Sequence, residues 1–181
     1  MPNPLLLIEK YYEPSSKLYK LLVAHSEQVR DKALFIARQN PELQIDTTFV
    51  AEAAMLHDIG IFMCYAPSIY CFGTHRYIEH GYLGAELLRN EGFESYALVC
   101  ERHTGAGISL KMVESQNLPL PHRDFMPVSI EEKLICYADK FFSKSQPDSE
   151  RSKAEVCSEL SRYGDEQVAT FEHWHSIFAK L

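Results

Sequence analysis

Ala54-Met55-Leu56-His57-Asp58-Ile59-Gly60 places two adjacent metal-ligating side chains at the end of an apolar run, which a glycine then stops. Ionisable groups are costly at core positions unless something pairs with them, so this stretch reads as a buried metal site. Consecutive residues at the end of a helix point about 100° apart around its axis, which lets one ligate terminally while the other bridges. Further out along the chain, His25 lies upstream, and His80, His103 and Asp139 lie downstream, each in an apolar, helix-like stretch. Six nitrogen and oxygen donors without a thiolate cluster suit first-row metals. A structural zinc site closes with four ligands, commonly including paired cysteines, so this dispersed set has the make-up of an open catalytic centre.

The order His25, His57-Asp58, Asp139 resembles the signature of the HD superfamily of metal-dependent phosphohydrolases, and His80 and His103 resemble the extra pair of its two-metal branches. The words Leu56-His57-Asp58-Ile59-Gly60, His80-Gly81-Tyr82-Leu83-Gly84-Ala85, Glu101-Arg102-His103-Thr104-Gly105-Ala106-Gly107 and Ala138-Asp139-Lys140 are similar to those of small prokaryotic HDIG proteins. Related to these are the symmetrical diadenosine tetraphosphate hydrolases. The resemblance runs from about Ser15 to about Ser143, and its strength lies in the order of several motifs together. It implies that His25, His57, Asp58 and Asp139 hold one metal, and that Asp58 bridges to a second held by His80 and His103. Many two-metal members carry a lysine directly after the His-Asp-Ile-Gly word; here that position is Ile61. Phosphoryl charge is then met elsewhere, and His75, Arg76, Arg102 and Lys140, each beside a ligand in sequence, are the candidates. Asp58, His75 and Lys140 are the residues assigned to catalysis.

The whole chain sets bounds on this. Its 181 residues suffice for a single domain over 1–181, with a motif-bearing core at about 15–143 and C-terminal helices at 148–181; a domain of this size buries roughly 70% of its unfolded surface. A net charge of −7 argues against an extended nucleic-acid surface, which needs clustered Lys and Arg. Small anions remain compatible, because divalent cations reverse the field locally. Five cysteines without a CxxC pair point to a reducing cytoplasm. Cys100, near Arg102 and His103, is the one with thiolate-stabilising neighbours in sequence, and it reads as a small buried apolar residue. Leu5-Leu6-Leu7-Ile8 lacks a basic lead and is interrupted by Glu9 and Lys10, so it reads as a short helix packing on the domain rather than a signal peptide or membrane span.

Apolar residues from Ser15 to about Asn40 recur at three- and four-residue steps, with His25 in the stripe, and Pro41 ends the pattern. Asp46 or Thr47 caps a second helix running to His57. Met63 to Thr74, with Pro67, Gly73, Tyr65 and Tyr70, reads as a loop or lid. Helices are expected at 80–90 and 95–103, and an irregular excursion at 104–128 with a turn or two at 109–114. A further helix over 129–143 opens on a Ser129/Glu132 capping box, and two more helices split near Gly164. No stretch alternates like a strand, so the expected class is all-α, a helical bundle with the metal site in its core. His122, His173 and His175 read as surface or aromatic-packing residues.

The expected function is hydrolysis of a nucleotide or other small phosphoester or phosphoanhydride by a metal-activated hydroxide. One or two divalent ions are implied, iron or manganese first, with cobalt, nickel, zinc or magnesium as further options. A mixed-valent di-iron oxygenase and a non-catalytic nucleotide sensor fit the same ligand set. The expected partner is a small phosphorylated molecule, with neither extended nucleic acid nor membrane; the oligomeric state is open.

Overall fold

The computed structural model describes residues 3–146 and 149–179. It is all-α, as expected, apart from one minimal hairpin. The helices are α1 (Pro4–Glu9), α2 (Lys17–Gln39), α3 (Thr47–Leu56), α4 (His80–Asn90), α5 (Glu94–Arg102), α6 (Leu110–Ser115), α7 (Ile130–Asp139), α8 (Lys153–Leu160) and α9 (Asp165–Phe178). Ser16 caps α2 by accepting from Tyr19 N–H, and Leu22, His25, Ser26, Val29, Ala33, Ile36 and Ala37 form its buried stripe. Asp46 caps α3 by accepting from the N–H groups of Thr48 and Phe49, satisfying donors that helix geometry leaves without partners. α2 packs on α3 and α7, and α4 packs on α5.

Two apolar clusters flank the middle of this bundle. One joins Val29, Ala33, Val50, Ala54, Leu134, Ile135 and Tyr137 to Val156, Phe171, Trp174 and Phe178 of α8 and α9. The other joins Ile8 and Leu22 to Leu56, Ile59, Ile61, Leu88 and Cys100. No helix among the described residues is long and apolar enough to cross a membrane.

Several local expectations are corrected. The 63–74 segment contains two antiparallel two-residue strands, β1 (Tyr65–Ala66) and β2 (Cys71–Phe72), too short to show a period of two. The 104–128 excursion has a core of its own, Ile108, Val113, Leu120 and Phe125, tied by paired backbone hydrogen bonds between Ile108 and Phe125. Leu7 and Ile8 of α1 are buried as expected, but Leu5 and Leu6 face solvent. Ser129 accepts from Glu132 N–H, yet the Glu132 carboxylate accepts from Val128 N–H rather than from the capping residue. α7 ends at Asp139, four residues before the expected stop.

The His-Asp-Ile-Gly turn sits between α3 and α4 with almost no clearance. A Cβ on Gly60 would lie 2.2 Å from the His80 carbonyl and 2.5 Å from Gly84 N, and one on Gly84 would lie 2.6 Å from Cys100 Sγ. Two glycines thus let the turn meet the first two turns of α4 backbone to backbone. From the other side the Tyr12 hydroxyl donates to the Ile59 carbonyl at 2.7 Å and accepts from Phe62 N–H.

Candidate metal centre

Five helices and one turn deliver the six sequence-assigned ligands to a single buried cluster. His25 comes from the middle of α2, His57 from the C-cap of α3, Asp58 from the turn after it, His80 from the first position of α4, His103 from the C-cap of α5, and Asp139 from the last position of α7. All six are buried. His25 Nε2 lies 3.2 Å from Asp58 Oδ2 and 3.0 Å from Asp139 Oδ1; His57 Nε2 lies 3.0 Å and 3.4 Å from the same two oxygens. On the other side of Asp58, Oδ1 lies 3.2 Å from His80 Nε2 and 3.4 Å from His103 Nε2, with those two nitrogens 3.0 Å apart.

Backbone carbonyls settle which ring nitrogen faces inward. The Nδ1–H groups of His57, His80 and His103 each donate at 2.6 Å to a carbonyl three residues earlier: Ala54, Tyr77 and Cys100. This leaves Nε2 free to ligate, a common orienting device for metal-bound imidazoles. Being at or beside a helix terminus makes those i−3 carbonyls available.

The donor set fits metal ions. His25 Nε2, His57 Nε2 and Asp58 Oδ1 are buried without a hydrogen-bond partner among the described residues, while Asp58 Oδ2 meets the Lys144 ammonium; buried polar atoms left over in this way are what a bound ion would satisfy. Donors about 2.1 Å from one ion stand about 3.0 Å apart at right angles and about 3.4 Å apart tetrahedrally, and the contacts above span that range. Two groups arise, His25-His57-Asp58-Asp139 and Asp58-His80-His103, sharing Asp58.

The electrostatics agree with that division. Burial disfavours charge on Asp58, but Lys144 and His57 hold its carboxyl well below the usual carboxylate range; Lys140 does the same for buried Asp139. Burial pushes His103 down to about 3, keeping its imidazole neutral and able to ligate.

The HD domain family model matches residues 22–143, a span that holds all six candidate ligands. The chain belongs to the HD domain family. Among similar proteins is an uncharacterized protein of Methanocaldococcus jannaschii, 39% identical over 126 residues, covering 69% of this chain and 66% of that protein. Two tRNA (cytidine(56)-2'-O)-methyltransferases also match. That of Picrophilus torridus is 36% identical over 124 residues, and that of Thermoplasma volcanium 32% identical over 123; the matches cover 68% and 67% of this chain but 32% of each methyltransferase. The HD chain thus spans just under two thirds of one relative and about a third of the other two. No solved structure matches.

The cationic candidates divide. Lys140 reaches the centre: its Nζ donates to Asp139 Oδ2 at 2.7 Å and to the His103 carbonyl at 3.0 Å. Arg76 lines a cavity of about 610 Å³ that opens from the centre, together with Tyr77, His80, His103, Lys140 and Lys144. His75 lies off that cavity, exposed, with Nδ1 3.2 Å from Glu79, because the turn after β2 directs it outward. Arg102 is drawn to Glu132 at 3.0 Å and does not line the cavity. Cys100 is buried, its thiol donating to the His57 carbonyl, and burial raises its pKa; the apolar reading holds.

The residue that sequence reasoning missed is Lys144, whose Nζ lies 2.5 Å from Asp58 Oδ2 with the side chain 13% exposed. Its spacing of four from Lys140 was the available signal, but α7 ends before both, and only the turn after it aims them together. Gln167 of α9 was also missed. Its Oε1 accepts from Ala106 N–H and its Nε2 donates to the Gly107 carbonyl, both at 2.6 Å, fixing the loop that follows His103.

Proposed function

We propose that the protein is a metal-dependent phosphohydrolase acting on a small phosphoester or phosphoanhydride, with nucleotides the first class to test. The supporting observation is the division of Asp58, whose Oδ2 faces His25 and His57 while its Oδ1 faces His80 and His103. Divalent ions held there, with iron or manganese preferred, would supply a water of lowered pKa and neutralise phosphoryl charge.

The chain's own residues orient and bind. Carbonyl-anchored imidazoles keep Nε2 directed inward, and Lys140 brackets Asp139 and the His103 backbone. Arg76 adds positive charge to the cavity, and Ile108, Met112, Leu118 and Leu160 give it an apolar wall for the organic part of a substrate. A small substrate also suits a chain of net charge −7, which offers little to a polyanion. The two methyltransferases match this chain over about a third of their own length, so their activity is not carried over to it.

The test is phosphate or nucleotide release from nucleotides and dinucleoside polyphosphates, using protein loaded anaerobically with iron or manganese. Turnover is expected without oxygen. Asp58→Ala is expected to abolish it and to lower bound metal while leaving the helical CD spectrum largely intact. Full activity in that variant would sink the assignment. Strict iron dependence with oxygen consumption would replace it by the di-iron oxygenase, and tight nucleotide binding without turnover by the sensor.

A further inference from the structure

We propose that Lys144 is the phosphate-contacting cation of this site, taking the role that Ile61 cannot fill. The inference rests on the phosphohydrolase reading for its reaction, but its binding arm stands apart from it. Ile61 follows the His-Asp-Ile-Gly word, and its side chain is fully buried in the apolar cluster with Leu56 and Ile59. The turn that places it is fixed by the Ile61 N–H to Asp58 carbonyl bond at 3.1 Å. A side chain at position 61 therefore points into the core on the α1 side, away from the cavity.

Lys144 arrives from the opposite wall, on the turn after α7. Its Nζ sits 2.5 Å from the oxygen of Asp58 that faces His25 and His57, and its side chain lines the cavity. Lys140, the neighbouring cation, is committed to the Asp139 carboxylate and to the His103 carbonyl, which makes it a scaffold for the ligands. An ammonium carries three donors. One of those of Lys144 meets Asp58, the Tyr77 side chain lies close enough for the ammonium to act on it electrostatically, and donor capacity is left for a phosphoryl oxygen entering the cavity. Tyr77 in turn stacks on the His80 ring at 4.6 Å between centroids, and its carbonyl accepts from His80 Nδ1–H. The lysine, the tyrosine and a ligand of the second group thus form one connected unit. A compact, strongly hydrated ammonium beside the bridging carboxylate is a point charge suited to phosphate.

The experiment compares wild type with Lys144→Met, Lys144→Gln and Lys144→Arg, all metal-loaded and checked for metal content and melting temperature. Removing one preorganised donor to developing charge costs about 10²–10³ in kcat, so Met and Gln variants are expected to lose that much in kcat. Their affinity for inorganic phosphate, read by calorimetry, is expected to fall about tenfold at unchanged metal content, with Arg recovering part of both. Phosphate affinity unchanged in both neutral variants overturns the proposal. So does a loss of phosphate affinity fully explained by lost metal. A wild type that binds phosphate through Lys144 yet turns over no substrate would sink the hydrolase reading and keep this one. Undiminished turnover in Lys144→Met would do the reverse.

Discussion

At the scale of single residues, His57 shows how two opposing effects decide a ligand's behaviour. Burial disfavours its charged form, but the carboxylates of Asp58 and Asp139 outweigh burial and carry its pKa up to about 9. A pKa raised above the ordinary histidine value of about 6.5 means that below about pH 9 the ring holds a second proton, on Nε2, which a metal must displace. Metal uptake near neutral pH is therefore expected to release about one proton through His57, and apparent affinity to rise with pH until about 9. Calorimetry in buffers of different ionisation enthalpy reads that proton directly, and uptake at pH 7 with no proton released would contradict the sign. His103, lowered by burial, already lacks a proton and contributes none to the count. The six donors that the fold brings together were legible in the sequence because each is an ionisable residue in an apolar stretch. Lys144 was not, because a lysine after a helix looks like any solvated surface lysine until the turn folds inward.

At the scale of elements, the meeting of the His-Asp-Ile-Gly turn with α4 carries the geometry of the centre. Gly60 and Gly84 let backbone atoms approach where any side chain would collide, and the His80 carbonyl is the first atom struck. The contact is backbone against backbone, so relief requires α4 to shift, and α4 carries His80. Gly60→Ala is expected to cost about 1–3 kcal/mol or more by overpacking and to weaken the second ligand group. A thermal melt and metal analysis together check this; a variant with wild-type melting temperature and metal content would show that α4 can move freely. Helix starts were readable, since Asp46 and Ser129 accept from the N–H groups that capping predicts. Helix ends were less so. Nothing in Ala138-Asp139-Lys140-Phe141-Phe142 breaks a helix by composition, and α7 stops because Lys140 and Phe141 turn back onto the His103 loop and the α9 rings.

At the scale of the whole molecule, the metal centre depends on helices outside the span matched by the family. Tyr137 of α7 stacks on Phe171 of α9 at 5.1 Å and meets Phe178 at 5.4 Å, two residues before the ligand Asp139. Burying rings of this kind is worth roughly 1.5–3 kcal/mol each, so α9 holds α7 in place from behind while Gln167 holds the loop after His103. A chain cut after residue 146 is expected to lose its cooperative thermal transition and its stoichiometric metal, measured by CD melting and metal analysis. A shortened chain that melts sharply with full metal would place α8 and α9 outside the folding unit. The sequence by itself determined the class, the order of the helices and the six donors, because apolar periodicity and the cost of burying charge are local properties of the chain. Only the tertiary structure decided that the two carboxylate oxygens of Asp58 face different histidine pairs. It also decided that Lys144 comes to lie beside Asp58, and that His75 and Arg102 stand apart. Those outcomes depend on the directions in which turns from distant parts of the chain aim their side chains, and such directions are set by long-range packing.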